Sequence, residues 1–254
     1  LLHMILKMEC MIKMKNNKSW IVIMKRELCS YFTSPVAYIV GALFLLFSGF
    51  LFFSTFFLVN RPELRNFFEL LPILFSFFIP AMTMRIFSEE KKSGTMETLV
   101  TLPVTNFDIV AGKYLATFVS SIALLIPTFF YVAACAIFAS SRIDFGPVVG
   151  GYLGAVLLAS AFCAIGIFAS SVTKNQIIAF FLAFAICIFL TMITVFSVLL
   201  PGILVGLASF ISSTSHFMSI SRGIIDSRDI LYFVSLTAVF VSLTVCVISN
   251  QRKG

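Results

Sequence analysis

Polar and apolar positions divide this chain into long uncharged runs separated by short charged connections. No Asp, Glu, Lys or Arg occurs in residues 28–60, 114–141, 145–173, 175–221 or 230–251. A helix needs about 20 apolar residues to cross about 30 Å of hydrocarbon. The runs therefore predict six spanning helices, over 36–59, 70–87, 114–139, 147–171, 177–200 and 230–249. Pro35 suits the first turn of a helix, where a missing N–H costs nothing, and Arg61-Pro62 closes that helix. The second span carries Pro72 and Pro80, and Pro80 is expected to kink it. The third ends at Ser140-Ser141-Arg142, the fourth starts near Gly146-Pro147, and Lys174-Asn175 makes a tight turn before the fifth.

The stretch from Asn175 to Ser221 is too long for one span, and Pro201-Gly202 divides it. Its second part, "ILVGLASFISSTSHFMSIS", is rich in serine and also holds Thr214 and His216. A seventh crossing and a re-entrant hairpin both fit its length. The polar content favours a short hairpin dipping in from one side, where neighbouring protein satisfies the irregular backbone.

Composition agrees with a membrane solvent. Hydrophobic residues make up 60% of the chain and charged residues 11%, with 31 Phe. Soluble domains carry roughly 45–50% apolar and about 25% charged residues. Residues 1–15 lack the pattern of the rest and are expected to be disordered or to lie outside the natural start. Residues 16–254 are expected to form a single domain. The first span is too long for the apolar core of a secretory signal. Four of the six cysteines, Cys135, Cys163, Cys187 and Cys246, fall in uncharged runs and read as small packing residues.

Charge decides the orientation. With six spans, 13 of the 18 Lys and Arg and six of the 11 acids fall on the side of the two termini, a net +7, and the other side nets zero. Positive loops face the cytoplasm. Both termini are therefore expected there, in the plasma (inner) membrane, and the basic balance is a topology signal, with no nucleic-acid partner implied. Ahead of the first span, Trp20, Ile21, Ile23, Met24, Leu28, Tyr31 and Phe32 recur at helical spacing, interrupted by Lys25, Arg26 and Glu27. An amphipathic helix lying in the lipid interface fits this pattern.

The most polar stretch of the chain, "EEKKSGTMETLVTLPVT" over Glu89–Thr105, lies in the first large loop of the basic side. Met96, Leu99, Val100 and Pro103 follow at i, i+3, i+4 and i+7, an apolar stripe on one helical face. Pro103 stops that helix. Thr105 then starts the next, with Asp108 three residues on and Val104 and Ile109 placed for a hydrophobic staple. A short helix presented this way reads either as a docking knob or as an amphipathic helix resting on headgroups.

This stretch resembles the E-x-x-x-G-T-x-E-x-L-x-x-x-P motif of ABC-2 type transporter permeases, with Glu90, Gly94, Thr95, Glu97, Leu99 and Pro103 filling it. "SPVAYIVGALFLLFSG" is similar to the family's first span, and "HFMSISRGIIDSRDILYF" to its gliding-motility-type and copper-processing-type branch. The resemblance covers essentially Ser19 to Lys253. It implies a permease that exports a substrate, driven by a separate cytoplasmic ABC ATPase. It also implies a homodimer or paired permeases, an all-α fold with six transmembrane helices and an N-terminal interfacial helix, a cytoplasmic coupling helix, and an outer re-entrant hairpin before the last helix. An extracytoplasmic accessory protein is a further expected partner. The coupling residues implied are Glu90, Gly94, Thr95, Met96, Glu97, Leu99 and Pro103. The alternative in another class is a non-transporting membrane scaffold that transmits ATPase-driven force or assembles an envelope machine.

Other chemistry is missing from the sequence. It has no G-x-x-x-x-G-K-[ST], since Gly112-Lys113 runs into Tyr114 and lacks the upstream glycine, and no H-E-x-x-H or G-x-S-x-G. No Asp, Glu, Lys or Arg is expected within the hydrocarbon, with Arg85 at the inner end of the second span counted to the basic side, which argues against an ion-driven transporter. No catalytic residue, cofactor or metal site is expected. Ser76, Thr83, Thr191, Thr194 and Ser197 are candidates to line a path, although small polar residues also glue membrane helices together. His216 reads as a polar residue of the outer hairpin. Asp226, with Asp229 three residues on, reads as a cap for the last helix, with Arg222 placed to pair with Asp226.

Overall fold

A computed structural model describes residues 19–59, 64–96, 104–138, 145–196, 202–224 and 226–253. The described residues form helices and turns, with no strand. In chain order these are α1 (Ser19–Thr33), α2 (Pro35–Val59), α3 (Arg65–Thr83), α4 (Arg85–Lys92), α5 (Asn106–Leu125) and α6 (Phe129–Phe138). They continue as α7 (Phe145–Val172), α8 (Gln176–Phe196), α9 (Gly202–Ile211), α10 (Ser213–Ser221) and α11 (Ser227–Lys253). Among the described residues six helices are long and apolar enough to cross a membrane, over Pro35–Ser54, Arg65–Lys92, Asn106–Cys135, Phe145–Val172, Gln176–Phe196 and Ser227–Gln251. The polytopic all-α expectation is met span for span.

The central helix is α7, which packs against α3, α4, α5, α8, α10 and α11. Its sequence explains this position. Gly150, Gly151, Gly154, Ala155, Ala159, Ala161, Gly166 and Ala169 are buried, and such small residues let neighbouring backbones come close where lipid gives no hydrophobic drive. The main core joins Phe44, Phe68, Phe75, Leu158, Phe162, Phe217 and Phe233 from five helices. Peripheral faces of α2 and α8 carry exposed Tyr38, Ile39, Leu46, Phe50, Phe181 and Phe189, as surfaces in contact with lipid do.

Three local structures differ from the pattern expected of the sequence. The third span starts at Asn106, earlier than 114, and is interrupted at Ile126–Thr128. Pro127 has no N–H to donate. The turn is closed instead by Thr128 N to Leu125 O at 3.1 Å and Tyr131 N to Thr128 O at 2.9 Å. In the second span, helix runs through both Pro72 and Pro80 and ends at Thr83. The break at Met84 has its cause in α7. Ser170 Oγ accepts from the backbone N–H of Phe87 at 3.0 Å and of Ser88 at 3.1 Å, and donates to Met84 O at 3.0 Å. A side chain inserted into the helical ladder is a recognised origin of such a break. Finally, the serine-rich stretch folds as two short helices, α9 and α10, parted at Ser212. Each is about 15 Å long at 1.5 Å per residue, too short to cross. Ser212 Oγ accepts from Ser215 N at 3.4 Å to start α10. The expected break at Pro201 lies outside the described residues.

Candidate functional site

At one end of the bundle α1, α4 and α5 converge. Thr105 caps α5 as its spacing predicts: its hydroxyl accepts from Asp108 N at 3.1 Å and donates to Asp108 Oδ2 at 2.6 Å. Val104 and Ile109 are buried in a second core with Ile23, Ile86, Phe87, Met96, Val110, Ile167 and Ile248. Two turns into α5, Gly112 lets α1 lie directly on the helix. A Cβ at Gly112 would fall 2.8 Å from Trp20 O and 2.9 Å from the Ile23 side chain.

The next residue is the centre of the site. Lys113 is fully buried, and its Nζ donates to Glu90 Oε1 at 2.8 Å, Glu27 Oε1 at 3.2 Å and the Ile86 carbonyl at 3.1 Å. It also lies 5.0 Å from the centroid of the Phe87 ring, within cation–π range. Arg26 joins from the exposed side, 2.7 Å from Glu27 and 3.4 Å from Glu90. Burial alone pushes the Glu27 carboxyl up, but Lys113 and Arg26 more than offset it and hold it below its ordinary value. The stabilisation from Glu27 is therefore present at neutral pH and is lost as pH falls through its lowered folded-state value.

The root of the polar loop is fastened a second time, to the end of α7, by the Ser170 bonds and by Lys91 donating to the Ser171 carbonyl. Arg85 adds contacts to Ser34 at 3.2 Å and Glu89 at 3.3 Å. Gly94 ends this root at φ +72, a left-handed turn that a side chain would strain. The carbonyl of Glu89 accepts from Ser93 N at 2.9 Å, and Thr95 Oγ1 lies 2.9 Å from Ser93 Oγ.

Of the residues implied in coupling, Glu90, Gly94, Thr95 and Met96 thus lie at one junction. Glu90 and Met96 face the chain's own interior, and Gly94 and Thr95 are exposed. Glu97, Leu99 and Pro103 lie outside the described residues. Among the path candidates, Ser76, Thr83 and Thr191 are buried. They bond the carbonyls of Ile73 at 2.7 Å, Ile79 at 3.1 Å and Cys187 at 2.7 Å in their own helices. Thr83 also abuts Gly166, where a Cβ would fall 2.0 Å from its Oγ1. Thr194 is half-buried and donates to Ser212. Ser197 lies outside the described residues.

Lys113 itself went unrecognised in the sequence. A lysine just ahead of an apolar run reads as a loop charge, whereas the structure puts it inside a spanning-length helix, so the expectation of uncharged spans is corrected. The available signal was a glycine–lysine pair with two acids, Glu27 and Glu90, on other helices at the same end.

The family model of the ABC-2 family transporter proteins matches residues 5–251. The chain belongs to the ABC-2 transporter family. No curated protein matches it. Membership marks this ABC-2 protein as a membrane permease subunit of an ABC system, and such subunits are not themselves catalytic. In this ABC-2 chain the junction around Lys113 joins the interfacial helix, the root of the motif loop and the third span in one body.

Proposed function

We propose that this chain is the export permease of an ABC-2 system and that its polar loop receives force from a separate cytoplasmic ATPase. The Lys113 junction is the observation that carries this reading. A buried cation holding Glu27 and Glu90 makes the loop root and α1 move with the spans, as a part that receives mechanical work must. Glu90, Gly94, Thr95, Met96, Glu97, Leu99 and Pro103 are the coupling residues in this proposal. Glu90, Gly94 and Met96 shape and anchor the loop, and Leu99 presents the docking surface. The functional unit is a homodimer in the plasma membrane. The outer stretch around His216 supports placement in the gliding-motility-type or copper-processing-type branch, with an extracytoplasmic accessory partner. Ser76, Thr83 and Thr191, buried and bonded within their own helices, pack the bundle, and Thr194 and Ser197 are the path candidates that remain. ATP-dependent movement of a lipid or solute in proteoliposomes holding both subunits tests the reading against the scaffold alternative, for which no movement occurs.

Two further results are expected. The purified permease alone binds no ATP, because it lacks a phosphate-binding loop; nucleotide hydrolysis by the isolated chain, free of contaminating ATPase, would remove the partner. In a cysteine-free background, a cysteine at Ser227 reacts with an impermeant thiol reagent in intact cells and one at Gly254 does not. The reverse labelling overturns the orientation.

A further inference from the structure

The far end of the bundle holds a second polar cluster. Asp229 and Ile248 lie on the same helix, about 28 Å apart at 1.5 Å per residue, and Ile248 belongs to the core beside Lys113. At the Asp229 end, His216 of α10 places Nδ1 2.6 Å from Asp229 Oδ1 and Nε2 3.0 Å from the Phe210 carbonyl. Its ring stacks on Tyr232 at 4.2 Å and meets the edge of Phe210 at 6.3 Å. The Tyr232 hydroxyl donates to the Ile211 carbonyl at 2.5 Å and lies 3.2 Å from Ser213 Oγ. Thus α11 grips the last carbonyls of α9, which a helix end leaves without internal partners, once through Tyr232 and once through Asp229 and His216. This departs from the expected caps. Asp226 does cap, accepting from Arg228 N at 3.0 Å. Asp229 pairs with His216, and no ion pair joins Arg222 to Asp226 among the described residues.

Hydrogen-bond chemistry fixes the proton count. A carbonyl only accepts, an ionised carboxylate only accepts, and a neutral imidazole has one N–H. Two ring nitrogens that both face acceptors need one proton more than a neutral imidazole beside an ionised carboxylate contains. The extra proton sits on the ring or on Asp229, and the count is the same. No titratable or charged group beyond Asp229 and Tyr232 contacts His216 among the described residues. From α9 it meets only the Phe210 ring and carbonyl.

We propose that His216 and Asp229 together form a proton-binding site whose occupancy fastens the end of α9 to α11. When the proton leaves, one N–H remains for two acceptors. Asp229 is 6% exposed and its Oδ2 is buried without a partner. An under-satisfied buried carboxylate has the stronger claim on the remaining N–H, so the Phe210 carbonyl is released. The clasp is closed while the proton is bound and opens when it leaves.

The test is amide hydrogen exchange across Gly202–Ser221 in the full chain in detergent micelles. Wild type is compared with His216→Gln at the same pH, so that intrinsic exchange cancels. At a pH of about 5.5 the wild type exchanges about fivefold more slowly, the effect of one net hydrogen bond. At a pH of about 8.5 the two converge. A ratio that does not change with pH overturns the proposal. Should His216→Gln fail to fold, ring nitrogen resonances of His216 in a His3→Gln background decide it. Nε2 carries hydrogen at the lower pH and loses it in step with the protection of α9. An Nε2 already bare at the lower pH, or a loss of hydrogen without any change in α9, overturns it equally.

Discussion

Lys113→Met is expected to release α1 and the root of the polar loop from the bundle. Methionine nearly preserves the volume and removes the buried cation, leaving Glu27 and Glu90 in a mostly buried site with the exposed Arg26 as their remaining counter-charge. Removing one partner of a buried ion pair costs about 3–5 kcal/mol, a large share of the stability of an ordinary domain. The Phe87 ring also loses the charge above it. The measurement is protease cleavage after Lys25 and Lys92 in detergent-purified protein. These sites are exposed already, so the expected change is a steep rise in rate at both together, with the long spans intact. The triple change Lys113→Met, Glu27→Gln, Glu90→Gln should recover most of the loss, because an uncharged site no longer carries an uncompensated carboxylate. Cleavage at wild-type rates in Lys113→Met would show that the junction does not depend on the ion pairs.

Leu99→Asp is expected to abolish co-purification with the ATPase while the permease still inserts and dimerises. Leu99 stands at the centre of the apolar stripe that begins at Met96. Met96 itself is buried in the core beside Lys113, so this end of the stripe is anchored on the chain's own body. A charge pressed into a groove without a counter-ion costs several kcal/mol. Even about 3 kcal/mol weakens binding more than a hundredfold. Residue 99 lies outside the six spans expected from the sequence, which is why insertion is preserved. Glu97→Ala is the milder control. Recovery of the ATPase at native level with Leu99→Asp would return this stretch to the status of a helix resting on headgroups.

The parts of this fold that were legible in the sequence rest on local physics. A run such as 145–173 has no soluble or strand reading that could hide it, and Thr105 with Asp108 states a helix start within four residues. What escaped depends on contacts far apart in the chain. Lys113 meets Glu27, 86 positions away, and Glu90, 23 positions away, and nothing near Lys113 separates a buried lysine from a loop charge. The interruption after Leu125 was readable, since Pro127 stands in the open. The break at Met84 was not, because its cause is a serine on another helix. The pairing of His216 with Asp229 escaped for a related reason: Asp229 has a sufficient local role as a cap residue, and only the fold brings the ring to it.

A bare break in a helix behaves as a hinge that yields to a push and passes on little of it. The break at Met84 is of another kind, because one hydroxyl, Ser170, holds the amides of Phe87 and Ser88 on one side and the Met84 carbonyl on the other. The joint is pinned to α7, so α4 cannot swing without dragging that helix along. A load applied at the tip of α4 would pass through this joint into α7, and α7, in contact with six other helices, would share it among them. Under the proposed coupling, a small stroke at the loop would become a small, nearly simultaneous displacement of the whole bundle instead of a large movement of one span.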